Sequence, residues 1–171
     1  MSSRDIREEL YALWAAREAQ RFPEADPLTV SLLLSFHFTY QLVEGYMNRV
    51  VQEQKEQLSL SACNVLSILY HQVGHCATFH EIGRLLITSK ANITGLTDGL
   101  ADKGYLERVT HPTDRRIKLA RLLPAGREYV ERWIPLKHKS MQKALQGLTQ
   151  EDKQTLNDLL GRIRGSMQAC E

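Results

Sequence analysis

Cysteine is scarce in this chain, as are the other residues that small stapled or fibrous domains require. The three cysteines, Cys63, Cys76 and Cys170, form no CxxC pair, so we expect neither a disulfide framework nor a zinc ribbon. Glycine and proline are few, at 10 and 5 residues, which excludes collagen-like and low-complexity chains. The richest apolar run, residues 28–40, is interrupted by serine, threonine and histidine. It is too short and too polar to span a bilayer.

The sequence motifs of common enzymes are also missing. The chain has no glycine-rich phosphate loop, no GxSxG, no HExxH and no pair of carboxylates in an apolar setting. We therefore predict that it is not an enzyme and needs no cofactor. Its first residues have no apolar core behind a basic flank, which argues against a signal peptide. The scattered cysteines fit a reducing compartment, so we expect a cytoplasmic protein without a membrane partner.

Neither sign of charge dominates, because the formal net charge is only +2. A nucleic-acid binder with this balance must cluster its basic residues. The clearest cluster lies in residues 107–121, where five basic and two acidic residues leave a net charge of +3. This segment holds more positive excess than the whole chain.

Apolar spacing predicts helices over most of the chain. Residues 4–20 and about 28–55 each carry apolar residues at three- and four-residue intervals, and Pro23 and Pro27 separate them. Ser59 is a good N-cap for a third helix, which Gly74 is expected to stop. Beyond residue 123, Pro124 starts a helix to about residue 145, which Pro135 should kink or divide. Thr149, with an aspartate three residues on, caps a last helix.

Two short helices in the middle of the chain are typical of a helix-turn-helix. Thr78 and Glu81 form a capping box that opens the first. Ser89 opens the second, for which the spacing predicts Ile93, Leu96 and Leu100 as the buried stripe. Two strand-like runs, 105–110 and 117–122, then flank a loop with Pro and Asp as turn formers.

The predicted fold is mainly α-helical with a small β-hairpin wing, a winged helix-turn-helix. We divide the chain into N-terminal helices (1–57), a DNA-binding domain (58–123) and C-terminal helices (124–171). The terminal helices carry more apolar surface than the central module can cover, so we expect both to form the dimerisation region of a symmetric homodimer.

The loop of the hairpin contains Asp114, Arg115 and Arg116. Two arginines at a hairpin tip suit a narrow minor groove, whose negative potential attracts guanidinium groups. Asp114 is the expected partner that fixes an arginine by a charge-assisted hydrogen bond. The alternative is a solvated charged turn without a ligand.

Residues 58–134 resemble the MarR (multiple antibiotic resistance regulator) family. Asp114 to Leu122, followed by Ala125-Gly126, looks like the family's wing signature, an Asp-x-Arg with leucines and a glycine at set distances. Ser89 to Thr94, continuing through Lys103 to Arg108, is similar to its recognition helix and first wing strand. The resemblance implies a transcription regulator, most often a repressor, that binds a duplex operator as a homodimer.

By this resemblance Asp114 and Arg116 shape and insert the wing, and Arg115 contacts a phosphate. Polar residues of the recognition helix are placed on its outward face, where Asn92 could read an adenine edge. Gly95 and Gly99 depart from the family, because long residues often stand there. The candidate DNA-binding residues are Ser89, Lys90, Asn92, Thr94, Thr97, Arg108, Asp114, Arg115, Arg116 and Lys118.

The resemblance also implies a small-molecule effector, often aromatic. The candidate ligand-binding residues are Trp14, His37, Tyr40, Asn64 and Arg108, although aromatic residues on a helix stripe are more often core. Two alternatives stay open: a zinc- or redox-responsive regulator on the same scaffold, since His71, His75, Cys76 and His80 lie close in sequence, and a helical protein-interaction dimer without DNA binding.

Overall fold

The computed structural model describes residues 6–111, 113–114 and 116–169, without the side chain of Arg7. The chain forms two compact units, 1–57 and 58–171. The elements in chain order are α1 (Ile6–Arg21), α2 (Pro27–Gln52), α3 (Leu60–His71), β1 (Cys76–Thr78), α4 (Phe79–Leu86), α5 (Lys90–Asp102), β2 (Leu106–Thr110), β3 (Lys118–Leu122), α6 (Pro124–Ala144) and α7 (Gln150–Gln168). The predicted class, mainly α-helical with a small β-hairpin wing, is confirmed.

The first unit is an antiparallel pair of helices. Pro27 occupies the first turn of α2, where a main-chain N–H would have no hydrogen-bond partner within the helix. Asp26 caps that turn by accepting the main-chain N–H groups of Leu28 and Thr29. Between the helices the ring of Tyr11 meets that of Phe38 edge-on, with centroids 5.8 Å apart.

The core of the second unit lies among α3, α4, α5, the sheet and α6. Most of its largest fully buried side chains are aliphatic, and Trp133 of α6 joins them. α3 begins at its predicted cap, because Ser59 Oγ accepts the N–H of Ala62 at 3.1 Å. It ends at His71 rather than at Gly74, which instead has a φ of +67° in the short 3₁₀ turn that follows.

The sheet has three strands in the order β1-β3-β2, one more than the sequence predicts. β1 pairs antiparallel with β3, Ala77 facing Ala120. The strand was missed because three residues are too few for an alternating pattern, and because Thr78 is both its last residue and the N-cap of α4. Pairing with β3 ties the helix-turn-helix to the base of the hairpin.

The last two helices belong to the second unit. Of the two effects expected of Pro135, a kink or a division, the division does not occur, since α6 is one helix with Pro135 inside it. Pro135 is exposed, and it removes one N–H from the hydrogen-bond ladder of the helix. α7 begins at the predicted Thr149 capping box and buries no residue among those described. No described helix is both long and apolar enough to cross a membrane.

Candidate nucleic-acid interface

The helix-turn-helix consists of α4, a left-handed turn and α5. At its start the N–H of Thr78 donates to Glu81 Oε2 at 2.7 Å, and the N–H of Glu81 donates to Thr78 Oγ1 at 3.1 Å. The bond from the Thr78 N–H, with a second from its hydroxyl, holds the pKa of Glu81 below its ordinary value. The capping box is therefore formed as predicted.

The turn between the two helices is made by Ile87, whose φ is +49°. A β-branched residue rarely adopts this left-handed conformation, so the turn is strained. Its side chain is 94% exposed. Two residues later Ser89 Oγ accepts the N–H of Asn92 at 3.3 Å and caps α5 as predicted.

One face of α5 is buried, and it includes a candidate DNA-binding residue. Thr97 was expected on the outward face, but it is fully buried with Ile93 and Leu100, while Leu96 is only half-buried. Residues 93, 97 and 100 share one helical face, and the Thr97 hydroxyl donates to the carbonyl of Ile93 at 2.8 Å. The helix itself thus satisfies the buried hydroxyl. Thr97 belongs to the core, and the prediction of a DNA contact there is wrong.

The opposite face of α5 carries the other candidates. Ser89, Lys90 and Asn92 are exposed at its start. Thr94 is half-buried, and its hydroxyl donates to the carbonyl of Lys90 at 3.1 Å. Gly95 is exposed on the same side and leaves bare backbone there.

A hydrogen-bonded turn connects α5 to the hairpin. Gly104 has a φ of +73°, and its N–H donates to the carbonyl of Ala101, while the N–H of Tyr105 donates to that of Leu100. This pair of hydrogen bonds with a glycine in the left-handed conformation is a Schellman motif. It directs the chain into β2. This strand pairs with β3, and Arg108 of β2 lies opposite Ala120 of β3.

Asp114 shapes the hairpin tip through the main chain. Its Oδ1 accepts the main-chain N–H of Arg116 at 2.9 Å, and its carbonyl accepts the N–H of Ile117 at 3.1 Å. The sequence predicted a bond to an arginine side chain; the bond seen is to a backbone N–H, because an aspartate readily caps a turn two residues on. Arg115, a predicted phosphate contact, lies outside the described residues.

Two basic residues at the base of the hairpin are paired with carboxylates. Arg108 of β2 forms an ion pair with Asp98 of α5, and its guanidinium lies 5.4 Å from the ring centre of Phe79. Arg121 bonds Glu107, its cross-strand partner, at 3.0 Å.

The unneutralised charge therefore lies nearer the tip of the hairpin. Arg116 and Lys118 are exposed, and no ion pair joins either of them to a carboxylate among the described residues. Of the described basic residues in the hairpin segment, these two remain available to a polyanion.

The candidate ligand-binding residues are spread over both units. Trp14 and Tyr40 belong to the first unit and are 44% and 59% exposed. His37, in the same unit, is hydrogen-bonded to Gln41 at 2.9 Å. In the second unit Asn64 lines an open groove of about 500 Å³ with His71, Lys137 and His138, whereas Arg108 is held by Asp98.

Among the residues considered for metal sensing, His75 has a hydrogen-bonding partner, and the buried Cys63 lies close to a tyrosine hydroxyl. His75 Nδ1 is 2.9 Å from the carbonyl oxygen of Tyr70. Within the described part of the chain no three His, Cys, Asp or Glu side chains are grouped as for a metal ion. Cys63 is fully buried, with its Sγ 3.0 Å from the hydroxyl oxygen of Tyr129.

Sequence reasoning missed three residues that contact candidate DNA-binding side chains: Asp98, Phe79 and Thr88. Asp98 and Phe79 contact Arg108 from other elements, and no local pattern reveals such a contact. Thr88 accepts a hydrogen bond from the Asn92 side chain four residues on, a spacing that helical periodicity could have revealed.

Together these elements define the class of the protein: a winged helix-turn-helix with an exposed recognition helix and a basic wing. Residues 58–118 match the sequence pattern of the MarR family. The chain is 31% identical over 140 residues, 77% of its length and 80% of the other's, to the uncharacterized HTH-type transcriptional regulator YdgJ of Bacillus subtilis. It is 26% identical over 147 residues, 85% and 86% of the two chains, to the HTH-type transcriptional repressor YetL of the same organism. The chain belongs to the MarR family of transcriptional regulators.

Solved structures share the fold. A mutant MarR from E. coli complexed with operator DNA has a TM-score of 0.70 at 22% identity, covering 85% of this chain and 96% of that one. Bordetella bronchiseptica BpsR, whose DNA binding is regulated by 6-hydroxynicotinic acid, has a TM-score of 0.67 at 22% identity, covering 75% and 95%. The relatives are transcriptional regulators rather than enzymes.

Proposed function

We propose that this protein is a repressor that binds a pseudo-palindromic operator as a homodimer and is released by a small aromatic ligand. The observation that carries the DNA contact is the hairpin tip, where Arg116 and Lys118 are exposed while Arg108 and Arg121 are paired with carboxylates. Arg116 enters the minor groove and Lys118 meets a phosphate. The role of repressor follows the relative YetL.

The recognition helix lies in the major groove of this proposed complex. Ser89 and Lys90 stand at its N-terminal end, where main-chain N–H groups and the helix dipole favour a phosphate. Thr94 flanks them. Arg108 acts through position rather than contact, because its ion pair with Asp98 fixes the first wing strand against the recognition helix.

Uncovered apolar helix faces support the dimer. Leu156, Leu159, Ile163 and Met167 repeat at three- and four-residue spacing along α7, and each is between 39% and 67% exposed. In the first unit, Leu32 and Phe36 of α2 are 55% and 53% exposed. A second copy of the chain is the occupant that would cover both faces in a symmetric assembly.

Ile163→Glu should shift the protein from dimer to monomer in analytical ultracentrifugation, since it places a charge on the α7 stripe. Gln168→Glu adds the same charge outside that stripe and should leave the dimer intact. A monomeric wild type, or an unchanged dimer in Ile163→Glu, would contradict this part of the proposal.

The ligand is proposed to be an aromatic molecule with a polar substituent. Exposed aromatic residues of the first unit, Trp14 and Tyr40, offer stacking surfaces, and His37 of the same unit offers a hydrogen bond. The related BpsR responds to 6-hydroxynicotinic acid. Titrating an operator complex with hydroxylated aromatic acids should dissociate it, and Trp14→Ala should raise the concentration required.

Selection of binding sites from random duplexes tests the DNA-binding proposal. The expected product is an inverted repeat with half-sites about one helical turn apart, as a twofold dimer requires. Arg116→Ala should weaken binding to that duplex at least tenfold with the dimer intact. Lys143→Ala removes the same charge from an exposed position of α6 and should change little. No enriched sequence would instead favour a helical interaction protein.

A further inference from the structure

Asn92 stands on the exposed side of α5, where one hydrogen bond orients its side chain. Its side-chain Nδ2 donates to Thr88 Oγ1 at 2.8 Å, and its main-chain N–H donates to Ser89 Oγ at 3.3 Å. Thr88 is half-buried in the turn before the helix, so it provides a firmer anchor than an exposed hydroxyl. The bond to Thr88 thus orients the Asn92 amide in the free protein.

The hydrogen bond to Thr88 leaves a defined pair of groups on this amide. A primary amide has two N–H donors and one carbonyl oxygen. One N–H is used by Thr88, and among the described residues the amide has no second partner. One donor and one acceptor remain, and this is the pair that the major-groove edge of adenine complements through N7 and the N6 amino group.

The surroundings of Asn92 allow a base edge to come close. Gly95 and Gly99 lie three and seven residues further along the same side, and a Cβ on either would meet nothing within 4 Å. Asparagine is short, so it reaches a base only if the helix backbone approaches the groove floor. Two bare positions beside it permit that approach.

Charge favours contact with DNA at the N-terminal end of the helix. Lys90 is exposed in the first turn of α5, whereas the exposed Asp102 and Lys103 at the C-terminal end offset each other. A phosphate is therefore attracted at the first turn. Recognition helices of this motif contact base edges with their N-terminal residues, which is where Asn92 lies.

We infer that Asn92 specifies an adenine in each half-site of the operator, and that Thr88 is the positioning residue that orients its amide. This inference rests on the proposed function, since it needs a sequence-specific duplex.

Affinities for all single-base variants of the selected operator test the assignment. The wild type should prefer adenine at one half-site position by fivefold or more, the size expected for one bidentate contact. Asn92→Ala should lose the preference there and keep it elsewhere. Lys90→Ala should weaken all sequences alike, as a phosphate contact does. If Asn92→Ala keeps the wild-type preference at every position, the inference is wrong.

Two further measurements separate base reading from helix capping. Replacing that adenine with 7-deazaadenine removes N7, and it should weaken the wild type but not Asn92→Ala. Thr88→Val keeps the shape without the hydroxyl and should reduce the adenine preference, while Thr88→Ser should restore it. A lowered melting temperature with unchanged base preference in Thr88→Val would show a structural role only. Failure of the wild type to select any duplex would overturn the proposed function instead.

Discussion

Replacing Gly126 with alanine would force a methyl group against the backbone of the wing. Gly126 is buried in the first turn of α6, and a Cβ there would lie 2.2 Å from the carbonyl oxygen of Tyr105 and 2.7 Å from Cδ1 of Leu122. The leucine side chain can rotate away. The carbonyl is less free, because it accepts the N–H of Leu123 at 3.0 Å and so joins the two ends of the hairpin.

The size of the effect follows from three contributions. Overpacking a buried position costs about 1–3 kcal/mol, and distorting the hydrogen bond to the Tyr105 carbonyl costs about 1 kcal/mol. Alanine favours the helix by at most about 1 kcal/mol relative to glycine. We therefore expect Gly126→Ala to lower the free energy of unfolding by about 2 kcal/mol.

Urea unfolding followed by circular dichroism, at one fixed protein concentration, measures this change. Gly95→Ala is the matched control, because a Cβ there would meet nothing within 4 Å, and it should not be destabilised. Equal midpoints for Gly126→Ala and the wild type would refute the claimed contact between α6 and the hairpin.

Three more changes have expected outcomes. Gly99→Ala should raise the unfolding free energy by about 0.5–1 kcal/mol, measured in the same urea series, because the helix gains propensity without a clash. Glu81→Gln tests the capping box: the folded pKa of Glu81 is lowered, so its contribution is present above the ordinary carboxyl pKa and is lost as pH falls below it. The stability difference from the wild type should therefore be present at neutral pH and vanish in acid; a constant difference would contradict the cause. Arg108→Ala breaks an exposed ion pair and should lower the free energy of unfolding by less than about 1 kcal/mol. It should nevertheless lower operator affinity, because the first wing strand loses its link to α5. Wild-type operator affinity in this variant would mean that Arg108 has no positioning role.

Local sequence patterns predicted the elements whose signals are local. Ser59, Thr78, Ser89 and Thr149 all cap the helices expected of them, because a hydroxyl three residues before a free N–H determines that geometry by itself. β1 escaped detection because its three residues depend on pairing with β3 some forty positions later. Long-range pairing leaves no periodic mark in so short a segment.

The arrangement of the candidate interface differs in detail from the prediction. The basic hairpin was visible as charge, but charge alone did not show that Arg108 and Arg121 are neutralised by partners. Thr97 was misplaced because a polar residue was assumed to face outward. Its hydroxyl instead donates to a main-chain carbonyl of its own helix, so it is buried with its hydrogen bond satisfied. Thr88 became relevant only once its bond to Asn92 was seen.

The salt dependence of duplex binding by the wild type and by Arg116→Ala tests the central claim most directly. If the exposed basic wing holds DNA, log affinity for the selected operator falls linearly with log salt concentration. Arg116→Ala should then bind more weakly with a slope that is shallower by about one per subunit. Affinity that does not change with salt, or a variant with the wild-type affinity and slope, would contradict the account.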